Sequence, residues 1–228
     1  MAGCFVNSLN EILNMEKDGT INLPEIGYVQ KTGKEKLTYD GDKIGFSLID
    51  FWRWSESNLL SNATRGKFAE FIVGIATGLD LSSLRDEWGK YDLKSDSGIK
   101  IEVKSASYIQ CWKQHKYSRI SFSIKRSKYR EDGMHKRTVL KRWADIYVFC
   151  LLKNKNQADL DPMKLEQWSF FVLPTYKIDN YERSQTSITL NSLLKLTAEI
   201  SYSELEAKIM EAYNEQKSYK VIEKNEIG

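Results

Sequence analysis

The 228-residue sequence predicts an α/β domain, a mixed β-sheet flanked by α-helices. Three observations carry that expectation: a helical apolar periodicity over 66–79, a run of strand-like segments between 88 and 173, and a return to helical patterning near the C-terminus.

In chain order, Glu11 to Met15 reads as the start of a short helix, and 26–40 as a strand or hairpin. Residues 46–60 (FSLIDFWRWSESNLL) read as a helix, with Phe46, Leu48, Ile49, Phe51 and Trp52 close to helical spacing. Over 66–79, Phe68, Phe71, Ile72, Ile75, Ala76 and Leu79 form an apolar stripe, and Gly78 suits a helix stop. Two short strands follow, 88–93 and 99–104, around Asp96-Ser97-Gly98. The segment 119–125 (RISFSIK) alternates and reads as a half-buried strand. Residues 145–152 (DIYVFCLL) are apolar on both faces, which suits a central strand. Another strand spans 167–173 and ends at Pro174. Ser201-x-x-Glu204 is a capping box before an amphipathic run to about Tyr213.

The chain is 41% hydrophobic and 29% charged, in the range of a soluble globular protein. No apolar run is long enough to span a bilayer, and the N-terminus lacks the basic and apolar regions of a signal peptide. Three prolines and no Pro/Gly/Ser linker fit one domain over 1–228, with 1–60 a partly helical N-terminal extension. Three widely spaced cysteines (Cys4, Cys111 and Cys150) give neither a disulfide framework nor a zinc pair. A reducing, cytoplasmic setting fits them, and Cys111 and Cys150 read as small hydrophobes. His115 and His135, the two histidines, do not make a His-metal centre.

The net charge is +3, but residues 113–142 hold eleven Lys and Arg against Glu131 and Asp132, a local +9 that leaves −6 for the rest. A basic stretch with interleaved aromatics in an otherwise acidic chain points to a polyanionic partner. A solvated basic loop is the plainer alternative.

The chemistry-bearing residues lie around the second short strand. Ile99, Ile101 and Val103 share one face, and Lys100, Glu102 and Lys104 the other. If Asp96-Ser97-Gly98 is a three-residue loop with Gly98 left-handed, Ser95 pairs with Ile99 and Asp92 stands opposite Glu102. Directly opposed residues have Cβ atoms about 4.5–5.5 Å apart, where two carboxylates repel. A divalent cation between them reverses that repulsion. Mg²⁺ takes a few carboxylates, with waters and substrate oxygens completing its shell. Such an ion activates water and polarises a phosphodiester, and Lys104 on the same face can position the water or stabilise charge on phosphorus. A loop of different length would turn Asp92 to the other face.

Asp92-(x9)-Glu102-Val103-Lys104, after a helix bearing Glu70, resembles the PD-(D/E)xK nuclease superfamily over roughly residues 64–126. Tyr91 stands where the motif has proline. Locally, Asn62 to Glu70 and Ile101 to Gln110 resemble a group of uncharacterised bacterial proteins within that superfamily. The resemblance implies a restriction endonuclease-like core and a metal-dependent DNA endonuclease, with restriction or defence as its setting. Asp92, Glu102, the Val103 carbonyl and Glu70 would hold Mg²⁺ (or Mn²⁺), and Lys104 would be the catalytic lysine.

Glu70 reads equally as an ordinary helix glutamate. Gln110, Lys113, Gln114, Lys116, Arg119, Lys125, Arg126, Lys128 and Arg130 are candidate nucleic-acid contacts, the two glutamines reading equally as surface residues. Trp112, Tyr117 and Tyr129 are candidate base-stacking residues. One active site per chain cuts one strand, so double-strand cleavage implies a homodimer, or a partner subunit that supplies specificity. Two readings compete: a non-catalytic nucleic-acid-binding module, and an interaction subunit that docks through a stripe at Leu205, Ile209 and Tyr213.

Overall fold

The computed structural model describes residues 26–80, 82, 85, 86, 89–130 and 138–227. The expected helix from Glu11 to Met15, and Cys4, Trp88 and His135, lie outside them. Packing divides the chain into residues 1–32 and 33–228. Residues 26–32 have no regular secondary structure, and every element below belongs to the second unit.

The hairpin expected within 26–40 sits further along the chain. Strands β1 (Lys36–Tyr39) and β2 (Asp42–Ser47) pair antiparallel. Asp40 and Gly41 turn the chain with φ of 47° and 89°, the left-handed pair of a tight hairpin, and Asp-Gly is its sequence signature. Helix α1 (Leu48–Glu56) is shorter than the expected 46–60. Phe46 belongs to β2, and the Asp50 carboxylate accepts the Ser47 backbone N–H at 2.8 Å, fixing the helix start one residue later.

Helix α2 (Asn62–Ala76) begins four residues before the expected start because the Ser61 hydroxyl caps it, accepting the Thr64 N–H at 3.2 Å. It stops at the expected glycine. Gly78 has φ 71°, and the Leu79 N–H returns to the Gly74 carbonyl at 2.9 Å. Its buried stripe is rotated from the expected one. Ala69, Ile72 and Val73 enter the core, while Phe71 and Ile75 are exposed.

The remaining elements are β3 (Leu93–Lys94), β4 (Lys100–Ser107), β5 (Ser121–Ser123), β6 (Ser127–Arg130), β7 (Thr138–Lys141), β8 (Ile146–Leu152), β9 (Trp168–Pro174), α3 (Thr175–Asp179), β10 (Ser187–Thr189), α4 (Leu190–Leu193) and α5 (Leu205–Ile227). The central sheet has the order β3-β4-β8-β9. Strands β4 and β8 run parallel, from Ile101 opposite Ile146 to Ser107 opposite Leu152. The two outer pairings are antiparallel, so the sheet is mixed, as expected. Every residue of β8 and β9 is buried, the mark of strands covered on both faces.

One face of the sheet packs Ile101, Val103 and Val148 against α2 and α5. The other packs Ala106, Phe149 and Phe171 against Ile120, Phe122 and Ile188 of the β5–β10 ribbon. The 119–125 segment alternates as expected, with Ile120, Phe122 and Ile124 buried, but it pairs with β10 and not with the main sheet. The Ser201–Glu204 capping box is present, and α5 runs on to Ile227, well past Tyr213. Leu205 and Ile209 are buried in the first core and Tyr213 packs against it, so the stripe considered for docking is interior.

The three-residue loop between β3 and β4 forms as expected: Gly98 has φ 82° and the Ser95 N–H bonds the Ile99 carbonyl at 3.0 Å. No atom would meet an added Cβ at Gly98, so a substitution there acts through backbone conformation alone. Gly98→Ala is expected to lower stability by about 1–2 kcal/mol, read as the change in denaturant midpoint at constant m-value.

Candidate active site

Alternation on β4 sends Ile101 and Val103 into the α2 core and leaves Glu102 and Lys104 half-buried on the opposite face. Their neighbours on β8, Tyr147 and Phe149, give them an apolar floor. β3 was expected over 88–93 but pairs with β4 only at Leu93 and Lys94. That pairing keeps the expected register, with Leu93 opposite Ile101 and Lys94 opposite Lys100, and the paired ladder ends there. The Asp92 N–H bonds the Ile101 carbonyl at 3.1 Å. Its carboxylate instead accepts the Val103 N–H at 2.7 Å, supplying the partner that a longer β3 would have offered.

This still brings Asp92, Glu102 and Lys104 together. The Lys104 ammonium lies 2.5 Å from the Glu102 carboxylate and 3.8 Å from that of Asp92. Burial raises the Glu102 carboxyl above its ordinary range; the Lys104 charge opposes this and Asp92 adds to it. Burial alone would lower the Lys104 pKa, but Glu102 and then Asp92 outweigh it and hold the ammonium charged. Tyr147 is raised as well, by burial first and by Glu102 second.

Glu70 is buried on α2 and acts electrostatically on both Glu102 and Lys104. Arg85 grips it with two hydrogen bonds, Nε to Oε2 at 2.5 Å and a terminal nitrogen to Oε1 at 3.0 Å. Sequence reasoning missed Arg85, which meets Glu70 across a fifteen-residue separation without local periodicity to announce it. Among the described residues no three His, Cys, Asp or Glu side chains gather into a closed metal cage. The donors present are hard oxygens, the type suited to Mg²⁺ or Mn²⁺.

The two candidate glutamines hold the 108–118 loop. Gln110 donates to the Ser107 carbonyl at 2.8 Å and accepts from the buried Arg65 at 3.2 Å. The Gln114 side chain accepts the Gln110 N–H at 2.6 Å and donates to Ser118. Lys113, Lys116, Arg119, Lys125, Arg126 and Lys128 are exposed; Arg130 ends β6, and its side chain lies outside the described residues. Trp112 and Tyr117 are exposed, whereas Tyr129 packs edge-on against Trp143. Of the two cysteines read as small hydrophobes, Cys111 is exposed and Cys150 is in the core.

A cleft of about 1190 Å³ reaches Glu70 and Asp92 and extends past Lys90, Lys100 and Trp143 to Tyr219. Lys141 lies 4.2 Å and Lys90 5.3 Å from the Trp143 ring centre. Glu102 and Lys104 do not line this cleft, so it meets the centre from the side of Asp92.

A mixed sheet with flanking helices and an acid–lysine cluster on its edge is compatible with an α/β nuclease-like core. A family model described as Bacteriophage T4 endonuclease IV matches residues 42–192, more than half of the chain. The protein belongs to that endonuclease family. The matched span begins with β2, ends in α4 and contains Glu70, Asp92, Glu102 and Lys104. No curated protein matches the sequence.

The folded-state Glu102 pKa lies above its ordinary 4.5. Its protonated form therefore favours folding, a contribution present below that ordinary value and lost as pH rises through the folded-state one. Lys104→Ala removes the main opposing charge. In chelator, ¹³C NMR of the carboxyl carbons is expected to show the Glu102 titration moving further up, with a larger stability loss from acid to neutral pH. A titration that stays in place or falls would contradict the coupling.

Proposed function

We propose that the protein is a metal-dependent DNA endonuclease of the PD-(D/E)xK type, with its centre at Asp92, Glu102 and Lys104. One observation carries the reading: two carboxylates and an ammonium converge where β4 is left without a strand partner. Membership of an endonuclease family supports the reaction class, and the exposed basic residues support a nucleic-acid substrate.

Asp92 and Glu102 would hold Mg²⁺ or Mn²⁺. In a strand the N–H and C=O of one residue point to the same side, so the Val103 carbonyl faces the edge where Asp92 takes its N–H. Two carboxylates and a carbonyl are enough, because waters and the substrate phosphate complete the shell of such an ion. When bound, the ion supplies Lewis acidity to the phosphodiester and lowers the pKa of a water.

The chain's own groups orient the rest. Hydrolysis joins a water oxygen to phosphorus and breaks one P–O ester bond, leaving a phosphate monoester and a hydroxyl. Lys104, kept charged by Glu102 and Asp92, faces that centre and stabilises the negative charge that builds on the phosphoryl oxygens. Glu70, fixed by Arg85, adds negative potential from the α2 side. Lys113, Lys116, Lys125, Arg126 and Lys128 provide backbone-phosphate contacts that need charge more than exact position.

Supercoiled plasmid incubated with the protein and Mg²⁺ or Mn²⁺ is expected to be nicked or linearised. Chelator should abolish the reaction, and Lys104→Ala should slow it by about 10²–10³-fold. Cleavage that persists at the wild-type rate in Lys104→Ala would remove Lys104 from the centre.

A further inference from the structure

On the far side of the β5–β10 ribbon lies a second concavity, of about 440 Å³. Three cations from separate parts of the chain line it: Arg119 before β5, Arg183 before β10 and Lys195 after α4. The other six lining residues all carry a hydroxyl or an amide, and no carboxylate lines it. Among the described residues, none of the three cations forms an ion pair. Like charges gathered in one hollow repel one another. A cleft of single sign also focuses its field on a counter-ion.

We infer that this hollow binds a backbone phosphate of the nucleic-acid substrate, away from the scissile bond. The chemistry fits the phosphate group. Guanidinium donors match its oxygens in pairs, an ammonium adds a point charge, and neutral hydroxyls and amides supply further hydrogen bonds without competing negative charge. Location supports the same ligand. The ribbon covers the sheet face that holds Ala106, and alternation along β4 places Glu102 and Lys104 on that face too. The centre and the ribbon therefore lie on the same side of the sheet. Arg119 belongs to the basic stretch evident in the sequence; Arg183 and Lys195 join it only because β5 pairs with β10.

This inference rests on nucleic acid being the substrate, and its test is binding without cleavage. Full-length protein in chelator is titrated with a fluorescent DNA oligonucleotide over a series of salt concentrations, alongside Arg183→Ala/Lys195→Ala. Both positions are exposed, and matching thermal melts would show that the variant is folded. The double variant is expected to bind about tenfold more weakly, with the slope of log K against log[salt] shallower by about 1. A charge-preserving Arg183→Lys/Lys195→Arg protein should keep most of the affinity. An affinity and slope equal to wild type would overturn the proposal. Titration with inorganic phosphate separates the two sources of the group: phosphate binding lost in the double variant while oligonucleotide binding is unchanged would assign the hollow to a free anion and overturn the nucleic-acid reading. If plasmid cleavage fails but oligonucleotide binding weakens in the double variant, the phosphate site stands and the catalytic reading falls.

Discussion

Strand β4 is held unequally at its two edges. Toward β8 it pairs along a continuous register of seven residues, and toward β3 along two. A backbone N–H at a half-buried strand must find a partner, and at Val103 the partner is the Asp92 carboxylate. That one hydrogen bond closes the ladder with a side chain and fixes Asp92 beside β4. It leaves Glu102 and Lys104 flanked by a carboxylate where a third strand would otherwise run. A longer β3 would instead give the Val103 N–H a backbone carbonyl and free the Asp92 carboxylate from that hydrogen bond.

The apparent basic character of 113–142 is divided by the fold into different jobs. Arg142 is buried and donates to the Ile124 carbonyl at 2.7 Å and to Asp179 at 2.5 Å, so its charge serves the second core. Arg126 reaches the same Asp179 at 3.5 Å. Lys141 lies over Trp143 in the cleft, while Arg119 turns toward Arg183 and Lys195. A run of positive charge in a sequence is therefore not one surface. Its residues separate according to which carbonyls and carboxylates the long-range pairing brings within reach.

Legibility followed sequence distance. The alternation of β4, the two-sided apolar character of β8, the end of β9 at Pro174, the left-handed Gly98 and the Ser201 capping box are local signals, and each has its counterpart in the structure. Asp92, Glu102 and Lys104 were found as a group because one short loop joins them. The phase of the α2 stripe is not legible in the sequence, since Phe71 and Ile75 weigh heavily in any apolar pattern yet stay exposed. Ala69 and Val73 reach the core because their small size lets the helix approach the sheet. The length of β3 is not legible either, because no periodicity encodes the side-chain hydrogen bond by which Asp92 takes the Val103 N–H. The Arg85 grip on Glu70 and the meeting of Arg119 with Arg183 and Lys195 depend on tertiary pairing alone.

Most parallel strand pairs are joined by a helix that docks as it forms. Here the elements of the connection from β4 to β8, among the described residues, are β5, β6 and β7. Closing it requires ordering a long non-local loop before any parallel hydrogen bond forms, a slow kind of step. Strands β8 and β9 are antiparallel neighbours in sequence and can zip first. β5 must wait for β10, far downstream. On the ribosome the hairpin carrying Asp92, Glu102 and Lys104 emerges well before the strands that brace it. The strands that brace the acid–lysine cluster thus all follow, in chain order, the hairpin that carries it.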